Sequence, residues 1–190
     1  MIKAIIFDCF GVLTSDRWKE FSEALPDEQR EPARQLNHAY NRGHLTKAEF
    51  LDQIEELTGS QPNYVDDMLD NETTKNNQLL SYVADLKDRG YKIGLLSNVA
   101  TNWIRDYFLT EEEQGLFDTF VFSFEAGMTK PNPQIFQLTA ERLGQDAKNC
   151  VLIDDVESYC SAARQEGMKA INYTDFESFK TQLEELLSQS

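Results

Sequence analysis

A chain of 190 residues with a hydrophobic fraction of 41% can close one buried core with room for a small appended unit, and is too apolar for wholesale disorder. Its formal charge of -15 would repel phosphate backbones and anionic lipid surfaces, which argues against nucleic acid or membranes as partners. An anionic substrate is still admissible, provided that a metal or a local positive charge receives it. Cys9, Cys150 and Cys160 are odd in number and form no C-x-x-C pair, the pattern of reduced thiols in a cytoplasmic chain. The N-terminal apolar run is too short for a signal segment, and no stretch approaches the length of a membrane span.

The run "IKAIIFD" (2–8) is continuous rather than alternating, as expected of a strand buried on both faces. Residues 15–78 then contain no convincing strand. "FSEAL", "PARQLNHAYNRG" and "KAEFLDQIEELTG" carry helical apolar spacing and read as a helical cap inserted after the first strand. From 79 onward strands and helices alternate. "NQLLSYVADLKDRG" is a helix stopped at Gly90, "YKIGLLSN" (91–98) and "FDTFVFS" (117–123) are strands, and the acidic run Glu111–Glu113 between them reads as a solvated turn. "PQIFQLTAERLG" is a helix ending at Gly144, followed by the strands "CVLIDD" (150–155) and "KAINYT" (169–174). A capping box from Thr174 to Glu177 opens the last helix. The alternation predicts an α/β core (1–14 and 79–190), a Rossmann-like parallel sheet with helices on both faces, plus the small helical cap domain at 15–78.

Four of the five predicted strands finish in polar residues: Asp8, Ser97 with Asn98, Ser123, and Asp154 with Asp155. Turn chemistry alone favours such residues, but in an open parallel sheet the carboxyl ends of the strands share one crevice where ligands bind. Lys130 belongs to the loop "GMTKPNPQIF", stiffened by Pro131 and crossing the same edge. If Asp8, Asp154 and Asp155 converge, three carboxylates face one lysine, and a divalent cation relieves their repulsion; with oxygen ligands and an anionic substrate, that cation is Mg²⁺.

The chain resembles the haloacid dehalogenase-like hydrolase superfamily, in the subgroup with a helical cap after the first strand. "IIFDCFGVLT", "LLSN", "GMTKPNPQIF" and "VLIDDVES" match its four motifs in order, and "NRGHLTKAEF" (41–50) is similar to a stretch of such caps. The resemblance implies that Asp8 is the nucleophile, Ser97 the phosphate-binding hydroxyl and Lys130 the charge-neutralising lysine. Asp8, Asp154, Asp155 and the backbone carbonyl of Phe10 would hold Mg²⁺. Asn98 and the backbone N–H groups from Cys9 to Val12, Gly11 among them, would help to bind substrate.

The departure is Phe10. Most family phosphatases carry an aspartate there as general acid, although some sugar-phosphate phosphatases of the superfamily do not, and losing such help costs roughly 10²–10⁴ in rate. A leaving group that tolerates negative charge, such as an acyl or anomeric sugar oxygen, suffers least. The expected activity is therefore a Mg²⁺-dependent phosphatase acting on a small sugar or acyl phosphate, as a monomer or homodimer. A metal-free 2-haloacid dehalogenase, which needs no leaving-group proton, and a non-catalytic binding scaffold are the alternatives. His44, following Gly43 in the cap, is a candidate to replace the acid or contact substrate. His38 reads as a surface residue, as do Arg17, Arg34 and Arg42, which are otherwise candidate partners for a second anionic group, and Trp18, Phe21 and Trp103 read as packing at the seam between cap and core.

Overall fold

The computed structural model describes residues 1–60, 64–70 and 74–188. Residues 61–63 and 71–73 of the expected cap, and the last two residues of the core, lie outside this description. In chain order the strands are β1 (Ala4–Phe7), β2 (Lys92–Ser97), β3 (Thr119–Phe122), β4 (Cys150–Asp154) and β5 (Lys169–Asn172). The α-helices are α1 (Arg17–Ala24), α2 (Asp27–Asn41), α3 (Lys47–Thr58), α4 (Tyr64–Asp70), α5 (Asn77–Asp88), α6 (Glu111–Gln114), α7 (Ser123–Ala126), α8 (Pro133–Arg142), α9 (Glu157–Gln165) and α10 (Phe176–Ser188).

All five strands pair in parallel in the order β3-β2-β1-β4-β5. Side chains alternate across the central strand, and each face buries its own half. Ile5 and Phe7 pack with Leu79, Val83 and Leu86 of α5 and with Phe179 and Leu183 of α10. Ala4 and Ile6 pack with Ile135, Phe136 and Ala140 of α8 and Ala163 of α9. Neither face meets water along β1, β4 and all of β2 after Lys92, which is why these strands read as continuous apolar runs.

The chain runs outward from β1 through β2 to β3 and then returns to place β4 on the other side of β1. That reversal opens a crevice at the carboxyl ends of β1 and β4. Phe7 is in register with Ile153, and the Asp8 N–H donates to the Ile153 carbonyl (2.9 Å), so Asp8 and Asp154 leave the sheet side by side.

Between β1 and α5, helices α1–α4 gather around their own cluster of Leu25, Ala33, Phe50, Ile54 and Val65. Trp18, Phe21 and Tyr40 pack against it, Tyr40 stacking on Phe50 at 4.6 Å. Contacts to the sheet include Ser123 Oγ donating to the Asn41 carbonyl (2.6 Å) and Arg42 Nε donating to Thr129 Oγ1 (3.1 Å).

Two local expectations change. Residues 111–114 form a turn of helix rather than an open turn, because Thr110 Oγ1 accepts from the Glu113 N–H and Glu113 caps Thr110 in return. Acidic side chains are favourable at such an N-terminus. The last helix is capped by Asp175, which accepts from the Ser178 N–H (2.9 Å), one residue after the expected Thr174.

Asn76 joins the two ends of the helical insertion. Its Oδ1 accepts from the Leu79 N–H as the cap of α5, while Nδ2 donates to the Val12 carbonyl (3.1 Å) and the Tyr173 hydroxyl (2.8 Å). Asn76→Ala removes a cap and leaves two acceptors without their donor; a loss of about 1–3 kcal/mol in unfolding free energy is expected. Denaturant titration of the variant against the parent measures it.

Candidate active site

The crevice holds an ion triad withdrawn from water. Lys130, fully buried, places Nζ 2.8 Å from Asp8 Oδ2 and 2.5 Å from Asp154 Oδ2. Asp8 Oδ1 accepts the Cys9 N–H (2.7 Å), and Asp154 Oδ1 accepts the Val156 N–H (3.0 Å), so both carboxylates are fixed in orientation. Burial pushes the Asp8 carboxyl well above its usual range; Lys130 opposes the shift, and Asp154 and Asp155 add to it. Burial favours the neutral form of Lys130, but the charges of Asp154 and Asp8 outweigh it and hold the ammonium above its ordinary range.

The lysine owes its place to Asn98. The Asn98 amide accepts from the Lys130 N–H (2.8 Å) and donates to the Lys130 carbonyl (3.1 Å). Asn98, expected as a substrate-binding residue, borders the cavity, and both ends of its amide also clamp the lysine loop.

Asp155 completes a three-carboxylate cluster with Asp8 and Asp154, one oxygen from each lying within 4.8 Å of the others. Gly11 makes this possible. Its φ of +77° suits glycine, and a Cβ there would stand 2.5 Å from the Asp155 Cγ. The Gly11 N–H donates to the Thr14 carbonyl (2.7 Å), so the residue makes room for Asp155 rather than offering the expected N–H to substrate. Ser97, at the end of β2, is fully buried, and its hydroxyl has no hydrogen-bond partner. Three oxygen donors, an orphaned hydroxyl and one ammonium suit a hard divalent cation with an anionic ligand.

Above the cluster lies a cavity of about 600 Å³, bounded by the ends of β1 and β2, the loop after β4, and helices α1 and α2. Phe10 lines it, its ring stacked on Trp103 at 6.1 Å between centroids. His44 does not line the cavity and is exposed, because α2 ends before it and Gly43 turns the chain away; His38, one helical turn inside α2, faces the cavity instead. Arg34, expected at the surface, also borders the cavity, as do Trp18 and Trp103, expected as packing.

Two residues went unnoticed in the sequence. Lys19 of α1 reaches the Asp155 carboxylate at 2.7 Å, which raises the lysine's pKa. Asp16, the N-cap of α1, lines the cavity. Locally both belong to an ordinary helix start, and only the docking of α1 brings them to the acids.

Residues 2–167 match the family described as haloacid dehalogenase-like hydrolase. The chain belongs to this family. It is a hydrolase with an α/β fold of five parallel strands. Phosphatase MT3486 of Mycobacterium tuberculosis is 26% identical over 188 residues, covering 89% of this chain and 86% of that protein. The HAD family enzyme bt-2542 of Bacteroides thetaiotaomicron, solved as wild type with magnesium and inorganic phosphate, is 26% identical, with a TM-score of 0.71 over 92% of this chain and 95% of that one. L-2-haloacid dehalogenase of Xanthobacter autotrophicus shares the fold at 18% identity, with a TM-score of 0.64 over 90% of this chain and 76% of that one. Among the described residues no helix is long and apolar enough to cross a membrane.

Gly11→Ala tests the cluster. The added methyl displaces Asp155, and the affinity of the acidic cluster for a divalent cation, by titration calorimetry, should fall about 10–100-fold. A φ unsuited to alanine should cost only about 1 kcal/mol or somewhat more in stability.

Proposed function

We propose that the protein is a Mg²⁺-dependent phosphatase that acts on a small phosphorylated metabolite through an aspartyl-phosphate on Asp8. The observation that carries this reading is the acidic cluster itself. Asp8, Asp154 and Asp155 stand together, with the buried Lys130 joining the first two and Lys19 on the third, an arrangement suited to binding a cation and an anion at once. The phosphatase relative and the magnesium- and phosphate-bound neighbour support it.

Asp8 attacks the phosphorus in line with the ester oxygen; the bond from its carboxylate to phosphorus forms as the ester P–O bond breaks. The Cys9 N–H holds Oδ1 and orients the attacking group. Lys130 and the Ser97 hydroxyl compensate charge on the phosphoryl oxygens. Water then cleaves the aspartyl-phosphate, releasing inorganic phosphate and restoring Asp8. Mg²⁺, when held by Asp8, Asp154, Asp155 and the Phe10 carbonyl, supplies the positive charge that lets a phosphate approach these carboxylates.

A phenyl ring two residues after the nucleophile can neither give nor take a proton, so acyl and anomeric sugar phosphates are the favoured substrates. Asp154 and Asp155 oppose the dehalogenase reading, since they would repel a 2-haloacid carboxylate. With its three thiols reduced, the protein is assigned to the cytoplasm, acting alone or as a homodimer.

The first experiment is turnover of p-nitrophenyl phosphate and acetyl phosphate with Mg²⁺ or with chelator. Turnover should require the metal and fall about a thousandfold or more in Asp8→Asn. Silence on both phosphates with metal present overturns the proposal. Chloride release from 2-chloropropionate would then establish the dehalogenase, and a second silence the binding scaffold.

A further inference from the structure

Besides Asp8 and Asp155, two acids line the cavity, Asp16 and Glu23. Glu23 is exposed, whereas Asp16 is half-buried. Asp16 stands six residues after Phe10, where the chain leaves β1 for α1. The Lys19 N–H donates to its Oδ1 (2.8 Å) and fixes the carboxyl as the cap of that helix. Lys19 Nζ, from the same first turn, holds Asp155 at 2.7 Å, which ties the start of α1 to the acidic cluster. No hydrogen bond among the described residues engages Asp16 Oδ2.

We propose that Asp16 performs the proton transfers that Phe10 cannot, and so extends the substrates to ordinary alkyl phosphates. This rests on the phosphatase reading. As a carboxylic acid Asp16 gives its proton to the leaving oxygen while the P–O bond breaks and the bond to Asp8 forms. As a carboxylate it takes a proton from the water that attacks the aspartyl-phosphate. Over one turnover the two transfers cancel, and Asp16 ends in the form in which it began.

The surroundings suit both forms. Withdrawal from solvent raises the Asp16 carboxyl to about 6; the Lys19 N–H opposes the shift, and the charges of Asp155 and Glu20 add to it. A group that titrates there has acid and base forms accessible near neutral pH. The other candidates are less suited. His38 has its electrostatic neighbours, Arg42, Arg34 and Glu31, on or at the end of its own helix and none among the acids of the cluster. Burial holds the Tyr159 hydroxyl above its usual range, which makes it a weaker acid.

Asp16→Asn separates the two roles of the residue, since asparagine caps a helix as well as aspartate does but transfers no proton. The measurement is kcat/KM, which reports the steps up to the departure of the leaving group, on glycerol 2-phosphate and on p-nitrophenyl phosphate with Mg²⁺. Glycerol 2-phosphate loses an alkoxide and needs the proton; p-nitrophenyl phosphate loses a stabilised phenolate and needs it far less. The variant should lose about 10²–10⁴ on the alkyl substrate and less than a tenth of that loss on the aryl one, with an unchanged thermal midpoint. Asp16→Ser, which keeps a cap by different chemistry, should reproduce the differential. Equal losses on both substrates, no loss on either, or a wild type active only on the aryl substrate each overturns the assignment to Asp16 while leaving the phosphatase standing. A wild type silent on both phosphates overturns the phosphatase reading, and this one with it.

Discussion

The interaction on which the rest of the structure depends is the buried contact of one ammonium with two carboxylates. Lys130, Asp8 and Asp154 are all withdrawn from water, so none of the three is tolerable without the others. Removing one partner of such a buried pair typically costs about 3–5 kcal/mol, because the remaining charge is left without compensation. The fold is arranged to keep them together. The reversal of strand order sets β1 beside β4 and delivers the two aspartates, and the Asn98 amide clamps the loop that delivers the lysine. Lys130 is thus a structural residue whatever its part in chemistry.

Phe10 looks like a defect when judged only by proton transfer. In the structure its ring stacks on Trp103, which in turn stacks on Phe108 at 5.3 Å, giving the cavity an apolar wall. The position can therefore serve the shape of the cavity without serving proton transfer, and Asp16, at the start of α1, places another carboxyl on the same cavity.

What was legible in the sequence follows from what each signal encodes. Strands buried on both faces need continuous apolar runs, so all five strands could be read directly, and each polar residue ending a run marked the crevice. Asp8, Asp154 and Asp155 were legible for that reason, and Lys130 from the proline that stiffens its loop at the same edge. Gly11 and Asn98 were found, but sequence position does not say whether an N–H or an amide is already engaged. Thr14 takes the Gly11 N–H and Lys130 takes the Asn98 amide, and both contacts arise only after the loops close. The choice between His38 and His44 was illegible for a similar reason: which turn of α2 faces the cavity depends on how the helix docks. Asp16 gave a clear local signal, that of a helix cap, and this signal concealed its nearness to Asp155.

Electrostatics explains why the helical insertion matters to chemistry at the sheet. The chain carries a net charge of -15, and the cluster of three carboxylates, with Lys130 on two of them and Lys19 on the third, still repels any approaching anion. The insertion answers with cations that face the cavity, Lys19, Arg34 and Lys47. Each already has an acidic partner, in Asp155, Glu31 and Asp66. These cations therefore present paired rather than bare charge to the cavity, and such pairs are screened readily by salt. Lys19 differs from the other two, because its partner belongs to the acidic cluster. Through that shared carboxylate the first helix of the insertion is tied to the sheet edge, which makes α1 a wall of the crevice rather than a cover over it.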